Sequence, residues 1–268
     1  MADTATVDKT GPTLLSLDPG SRLSGNLITI GDVGTGKTQA LMQAVDYGRE
    51  TGKKMVIYDP SGEYAEKFYR PGIDYLFGFR SVPCSPLDFG GSPEFEMRSY
   101  LAADNGACLF ITSNPVDHEV NRPFLTAMLE QALLEALRLP ESDSSKVVFV
   151  IDELLTLAKL TSLPEALKSG HKHGVCIAAA TQSVEALAEI YGADTLSEMI
   201  SSFRSRYLLK LHGCRDMDSV AGLLGFGSVA KEIATLPELT GYFRSGDDER
   251  PVRVTIPYVR RLPRGVFR

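Results

Sequence analysis

Along the chain, apolar runs of strand length alternate with longer stretches whose apolar residues recur every three to four positions. Asn26 to Ile30 predicts a strand ending in a glycine-rich turn, and Thr38 to Arg49 predicts a helix closed by Thr51-Gly52. Lys54 to Tyr58 is the next strand, cut off by Asp59-Pro60, and Ala107 to Thr112 is another. Pro123 to Arg138 reads as a helix, with Pro123 at its first position, an apolar stripe from Leu125 to Leu137, and Pro140 as its stop. Lys146 to Ile151 (KVVFVI), Val175 to Ala180 and Tyr207 to Leu211 are continuous apolar runs, the pattern of strands covered on both faces in a parallel sheet. A strand pair, Gly241 to Arg244 and Val252 to Pro257, follows. The alternation predicts an α/β fold with one mainly parallel central sheet flanked by helices.

Tyr69 to Asp104 breaks this rhythm. It is rich in Pro, Gly and Ser, as in PCSPLDFGGSPEF, and turns are expected to dominate it. Met1 to Gly20 and Pro263 to Arg268 are expected to be loose ends. The chain of 268 residues is long enough for a sizeable core, and its 43% hydrophobic and 23% charged composition is that of a globular protein. A formal net charge of −6 argues against an overall electrostatic grip on nucleic acid but leaves room for a local basic loop. Cys84, Cys108, Cys176 and Cys214 lie far apart; Cys108 and Cys176 sit in apolar runs and are expected to be reduced, buried thiols. No apolar stretch approaches the roughly 20 residues that span a bilayer, and the first twenty residues lack the features of a signal peptide. A cytoplasmic location is expected.

Chemistry enters at Gly31-Asp32-Val33-Gly34-Thr35-Gly36-Lys37-Thr38, which matches G-x-x-x-x-G-K-[ST] between a strand and a helix. In such a loop, backbone N–H groups wrap phosphates at a helix N-terminus. Lys37 reaches the β- and γ-phosphates, Thr38 ligates Mg²⁺, and the adjoining Gln39 completes the nucleotide-binding stretch. KVVFVIDE supplies the complementary carboxylates: Asp152 at the strand end as partner of the metal, and Glu153 placed to polarise an attacking water. Gln182 ends the run AAATQS, where an amide can sense a γ-phosphate. ATP and Mg²⁺ are the cofactors these residues call for.

Several stretches together resemble the nucleotide-binding domain of type IV secretion coupling proteins, the TraD/TrwB-like conjugation ATPases. They are GDVGTGKT, VIYDPSGEYAEKFY, RSYLAADNGACLFITSN, VVFVIDELLTLAKLTSLPEALKSGHKHG, ATQSVEALAEIYG, SSFRSRYLL and LPELTGYFR. The resemblance implies a RecA-like P-loop motor over residues 21–262, with 65–106 as a shortened insertion region where relatives carry an all-α domain. It implies ATP hydrolysis in DNA transfer or type IV secretion, a homo-oligomer in the form of a hexameric ring, single-stranded DNA or a relaxase–DNA complex as cargo, and type IV secretion components as partners. The transmembrane helices usual in relatives are not in this chain, so attachment to the inner membrane is expected to run through a partner. Asp59 and Glu63 match the DPxGE signature, with a structural role near the site.

One triplet departs from the family pattern. Where TrwB-type relatives read G-R-K, with the arginine reaching a neighbour's ATP site, this chain has Gly170-His171-Lys172. A histidine has fewer donors and a shorter reach than an arginine, and an ordinary pKa near 6.5. Lys172, by a one-residue shift, and Arg206 or Arg204 in SSFRSRY are the other candidates for the missing cation. His171 and His173 form a His-x-His pair without further obvious metal ligands, and His173 reads as a solvated loop residue. His118 and His212 show no partner pattern. Two other functions stay open: a nucleotide-dependent assembly or docking module with weak hydrolysis, and another P-loop DNA motor for partition or packaging.

Overall fold

The computed structural model describes residues 25–78, 95–113, 116–212, 217–246, 248 and 250–259. The expected loose ends, most of the Pro-Gly-Ser-rich stretch, Cys84 and Cys214 lie outside the described residues. The described residues form nine strands and nine α-helices: β1 Leu27–Ile30, α1 Lys37–Glu50, β2 Lys54–Asp59, α2 Glu63–Phe68, β3 Tyr75–Gly78, α3 Met97–Ala102, β4 Cys108–Thr112, α4 His118–Ala136, β5 Ser142–Ile151, α5 Leu163–Ser169, β6 His173–Thr181, α6 Val184–Tyr191, α7 Ala193–Ser202, β7 Ser205–Leu209, α8 Met217–Leu224, α9 Ala230–Ile233, β8 Thr240–Ser245 and β9 Val252–Thr255.

All nine strands join one sheet in the order β3-β4-β2-β5-β6-β1-β7-β8-β9. β3 through β7 run parallel, while β8 and β9 pair antiparallel at one edge. The side-chain period of two sorts each strand onto two faces. Leu27, Met55, Ile57, Phe110, Val148 and Val150 pack against Leu41 and Val45 of α1 and Tyr64 of α2. Ile28, Ile30, Val56, Leu109, Phe149 and Ile177 pack on the opposite face against Met128 and Leu133 of α4, Leu163 of α5 and Ile200 of α7. Burial on both faces is why KVVFVI shows no polar alternation. The register Leu27↔Ala178, Val148↔Cys176 and Ile28↔Arg206 brings the C-terminal ends of the interior strands β5, β6, β1 and β7 side by side.

Three sequence expectations change. α4 starts at His118, not Pro123, so the proline is the sixth residue of the helix. The missing N–H deprives the Glu119 carbonyl of its i+4 donor, and the helix tolerates this because Glu119, Val120 and Pro123 are exposed and water can satisfy the carbonyl. Secondly, the irregular stretch contains β3 and α3. β3 pairs with β4 (Tyr75↔Leu109) as a short, largely exposed edge strand without an alternating signature. Its approach is pinned by Asp74, fully buried, which binds the Arg49 guanidinium (Nη1–Oδ1 2.9 Å) and accepts the N–H groups of Arg70 (2.7 Å) and Cys108 (2.8 Å). Tyr75, Phe95 and Tyr100 meet in edge contacts above it. Thirdly, His173 is no loop residue: it opens β6, half-buried, with Nδ1 2.6 Å from the carbonyl of Leu139. Cys108 and Cys176 are buried free thiols, as expected, each pushed up to about 12 by burial. Among the described residues no helix is long and apolar enough to cross a membrane.

Candidate nucleotide site

The loop between β1 and α1 is built from both flanking strands. Gly31 N–H donates to Thr181 O (3.3 Å) on one side, and Asp32 N–H to Lys210 O (3.0 Å) on the other. Gly34 and Gly36 take φ of 76° and 114°, conformations that glycine adopts without the steric penalty a Cβ brings. Thr35 ties the loop together: its hydroxyl donates to Asp32 O (2.8 Å), and its own carbonyl accepts Leu239 N–H (3.0 Å) from the segment before β8. Val33 stands exposed at the tip. The N–H groups at the start of α1 thus open onto a rigid concave loop, the arrangement that binds anions.

Lys37 is buried, and its ammonium donates to the carbonyls of Gly31 and Asp32, both at 2.9 Å. Burial lowers its pKa, while Glu153, Asp152 and Asp32 oppose the drop. The Thr38 hydroxyl donates to Asp152 Oδ2 at 3.0 Å. Asp152 is buried at the end of β5, and burial, reinforced by Asp59 and Glu153, raises it to about 7 against the pull of the Thr38 bond and Lys37. A hydroxyl and a carboxylate oxygen so placed are the hard oxygen donors that suit Mg²⁺. Gln39, the last residue of the predicted stretch, turns its side chain away to accept the N–H of Val259 (3.0 Å).

Glu153 follows with a strained backbone, φ 75° and ψ 88°. Its Oε1 accepts Leu155 N–H (3.3 Å), and its Oε2 is buried with no hydrogen-bond partner. Burial raises its pKa; the Leu155 N–H, Lys37 and the amide groups of Gln182 oppose the rise. Gln182 itself is exposed at the tip of β6, next to β1. Asp59, fully buried and raised to about 6 by burial, accepts Ala65 N–H (2.9 Å) and so starts α2 rather than facing the loop. Tyr64 from that helix donates its hydroxyl to Thr38 O (3.3 Å).

The structure therefore brings Lys37, Thr38, Asp152, Glu153 and Gln182 together, and it does not bring His171 or Arg206 to them. His171 is exposed in the short helical turn Gly170–Lys172 before β6, at the opposite end of the parallel strands. Arg206 is half-buried, its Nε donating to Phe203 O (3.0 Å) and its Nη1 to Leu224 O (3.1 Å), so its guanidinium is tied to backbone within its own subunit. Two histidines without sequence signal have partners at the site. His118 links Ser113 (3.0 Å) to Thr156 O (2.8 Å) just behind Glu153. His212 binds the carboxylate of Asp32. Both contacts cross long stretches of chain, which no local pattern records.

The comparisons with known proteins agree with this geometry. The chain is 26% identical over 204 residues to the coupling protein TraD of Escherichia coli (strain K12), a match covering 73% of this chain but 27% of TraD, so the chain spans about a quarter of that relative's length. Its fold superposes on the unbound bacterial conjugative coupling protein TrwBΔN70 with a TM-score of 0.76 at 21% identity, covering 90% of this chain and 86% of the other. TrwB in complex with ADP and Mg²⁺ gives 0.74 at 22%, covering 90% and 87%. The model of the type IV secretion-system coupling protein DNA-binding domain matches residues 15–88 and 84–253, and the chain belongs to that family.

Proposed function

We propose that this chain is the ATP-hydrolysing motor domain of a coupling system that moves DNA in conjugation or type IV secretion. The observation that carries the proposal is the Thr38–Asp152 hydrogen bond, which joins the phosphate-binding loop to the acidic end of β5, with Glu153 and Gln182 beside it. The loop from Gly31 to Gln39 receives the polyphosphate through its N–H groups. Lys37 leaves the carbonyls of Gly31 and Asp32 for the β- and γ-phosphates. Thr38 and Asp152 would hold Mg²⁺, which when bound neutralises phosphoryl charge. Glu153, with a buried and unpartnered Oε2 and a raised pKa, takes the proton of the attacking water. The new O–P bond forms on the γ-phosphorus as the bond to the β,γ-bridging oxygen breaks, and Gln182 registers the γ-phosphate. The test is Mg-dependent ATP turnover. Lys37→Ala should lose binding and Glu153→Gln should lose turnover; a protein that binds no ATP, or variants that keep full turnover, would end this reading.

The same reading includes a hexameric ring, single-stranded DNA or a relaxase–DNA complex as cargo, secretion-channel components as partners, and a cytoplasmic position held at the inner membrane by a partner. A second reading rests on His171, exposed where TrwB-type relatives place an arginine: a nucleotide-dependent docking module with slow hydrolysis. Mass measurement with ATP and with single-stranded DNA separates them. A ring whose turnover rises with DNA supports the motor; a monomer indifferent to DNA supports the module.

A further inference from the structure

The loop after β7 lies against the loop after β1, on the side away from Gln182. There His212 makes two hydrogen bonds to one oxygen of Asp32: its backbone N–H at 2.6 Å and its ring Nδ1 at 2.8 Å from Oδ2. An ionised carboxylate only accepts, so the ring proton sits on Nδ1 and Nε2 remains outside the contact. Asp32 is an odd residue for its place. Backbone N–H groups bind the phosphates in such loops, and a side-chain anion at the second position opposes the incoming polyanion. Its side chain is 30% exposed, so its field reaches the mouth of the loop. Two side chains hold this residue. Lys37 holds the Asp32 carbonyl, but it is the group that must turn to the phosphates. His212 has no such second duty.

We propose that His212 is a positioning residue for nucleoside polyphosphate, acting by holding the Asp32 carboxylate in two hydrogen bonds and fixing the loop that carries it. The proposal rests on the nucleotide-binding reading of Gly31–Thr38. Four successive strand ends then carry the site: Asp152 and Glu153 on β5, Gln182 on β6, the loop on β1 and His212 beyond β7. Once Lys37 engages phosphate, His212 still holds Asp32 Oδ2 through its backbone N–H and its ring Nδ1. Without the ring the carboxylate keeps only the backbone N–H of residue 212, and it turns more readily toward the ligand and repels it.

The test is a binding cycle with Mg-ATP on the full chain at low ionic strength. His212→Ala should weaken binding about tenfold, the scale of one hydrogen bond to a carboxylate. His212→Asn, which keeps a side-chain N–H donor, should recover most of that loss. Asp32→Asn should tighten binding a few-fold, and the Asp32→Asn/His212→Ala pair should follow the Asp32 single variant. Raising the salt should shrink the His212→Ala deficit. A His212→Ala protein that binds within twofold of wild type, or a double variant as weak as His212→Ala, overturns the role of His212 while leaving the nucleotide site intact. A wild-type protein that binds no Mg-ATP overturns both. Thermal unfolding without nucleotide checks that the variants are folded.

Discussion

The hydroxyl of Thr156 donates to the carbonyl of Glu153 at 2.8 Å, and this bond closes the strained turn that carries the candidate general base. The hydroxyl has one proton, so the Tyr58 hydroxyl, 2.8 Å away, must donate to Thr156 in turn. His118 Nε2 donates to the Thr156 carbonyl (2.8 Å), and Arg122 to the Leu157 carbonyl (2.8 Å). A left-handed non-glycine residue costs about 1–3 kcal/mol and persists only where its surroundings hold it. Thr156→Val removes the donor, leaving the Tyr58 hydroxyl unpaired and the Glu153 carbonyl with only the longer bond from Thr156 N–H (3.3 Å). Turnover should fall about tenfold, a loss on the scale of one such bond, with KM for ATP nearly constant, and Thr156→Ser should restore it. Steady-state kinetics decide: a rise in KM at constant kcat would show that Thr156 serves binding instead.

The acidic cluster predicts a pH dependence of stability. Asp152 rises from 3.8 to about 7 in the fold, mainly through burial, and Asp59 rises to about 6. A carboxylate whose folded pKa lies above its unfolded value stabilises the protein fully below the unfolded pKa, and that stability is lost as pH climbs through the folded pKa. The nucleotide-free protein should therefore weaken between about pH 4 and pH 7. At pH 8, Asp152→Asn should raise Tm by roughly 4 to 8 °C, equivalent to about 2 kcal/mol, and should abolish the effect of Mg²⁺ on ATP binding. The gain in Tm should close below about pH 5. Melting curves across this range would refute the assignment if the gain grew toward acid.

The parts of this fold that sequence made legible are those whose chemistry is local. GDVGTGKT sits between a strand and a helix because its glycines and its lysine work through the adjoining backbone, and KVVFVIDE shows its burial in unbroken apolarity. The parts that were hidden depend on distant pairing. Asp32 meets His212 across 180 positions, and His118 meets Thr156 across 38. A histidine with such a partner has the same letter and neighbours as one in water, which is why His173 also read as a loop residue. β3 was missed for a different reason: four residues at a sheet edge, mostly exposed, carry no periodic signal, and a buried aspartate, not their own pattern, sets their place. Pro123 misled because its preference for a first turn is statistical, whereas the solvent-facing side of α4 removes the penalty for placing it deeper.

That aspartate gives a stability prediction. Asp74 and Arg49 are almost wholly buried, with side chains 0% and 4% exposed, and Arg49 also donates to Phe68 O (2.8 Å). Asp74→Ala leaves a buried guanidinium without its counter-charge and frees the N–H groups of Arg70 and Cys108. The loss should be about 3–5 kcal/mol, read as a lower urea midpoint at an unchanged slope. A loss under about 1 kcal/mol would mean that the edge formed by β3 unfolds apart from the rest of the sheet.

His171 makes the last prediction a test between subunits. It precedes β6, and Gln182 follows it. Nine strand residues at about 3.3 Å each separate the two by roughly 30 Å. His171 therefore has no route to the nucleotide of its own chain and can act only on that of a neighbour. On the motor reading, His171→Arg should raise turnover at least about tenfold, a part of the 10³ to 10⁵ that a fully placed arginine can supply, and the gain should grow with protein concentration as subunits assemble. Mixing makes the direction visible. A Lys37→Ala/His171→Arg subunit should be inactive alone, yet it should stimulate added wild-type protein by lending its guanidinium to an intact site. If His171→Arg leaves turnover unchanged in an assembled ring, or if the mixed protein is only diluted, residue 171 does not face a neighbour's phosphate, and the cation must come from Lys172 or from an arginine elsewhere on the interface.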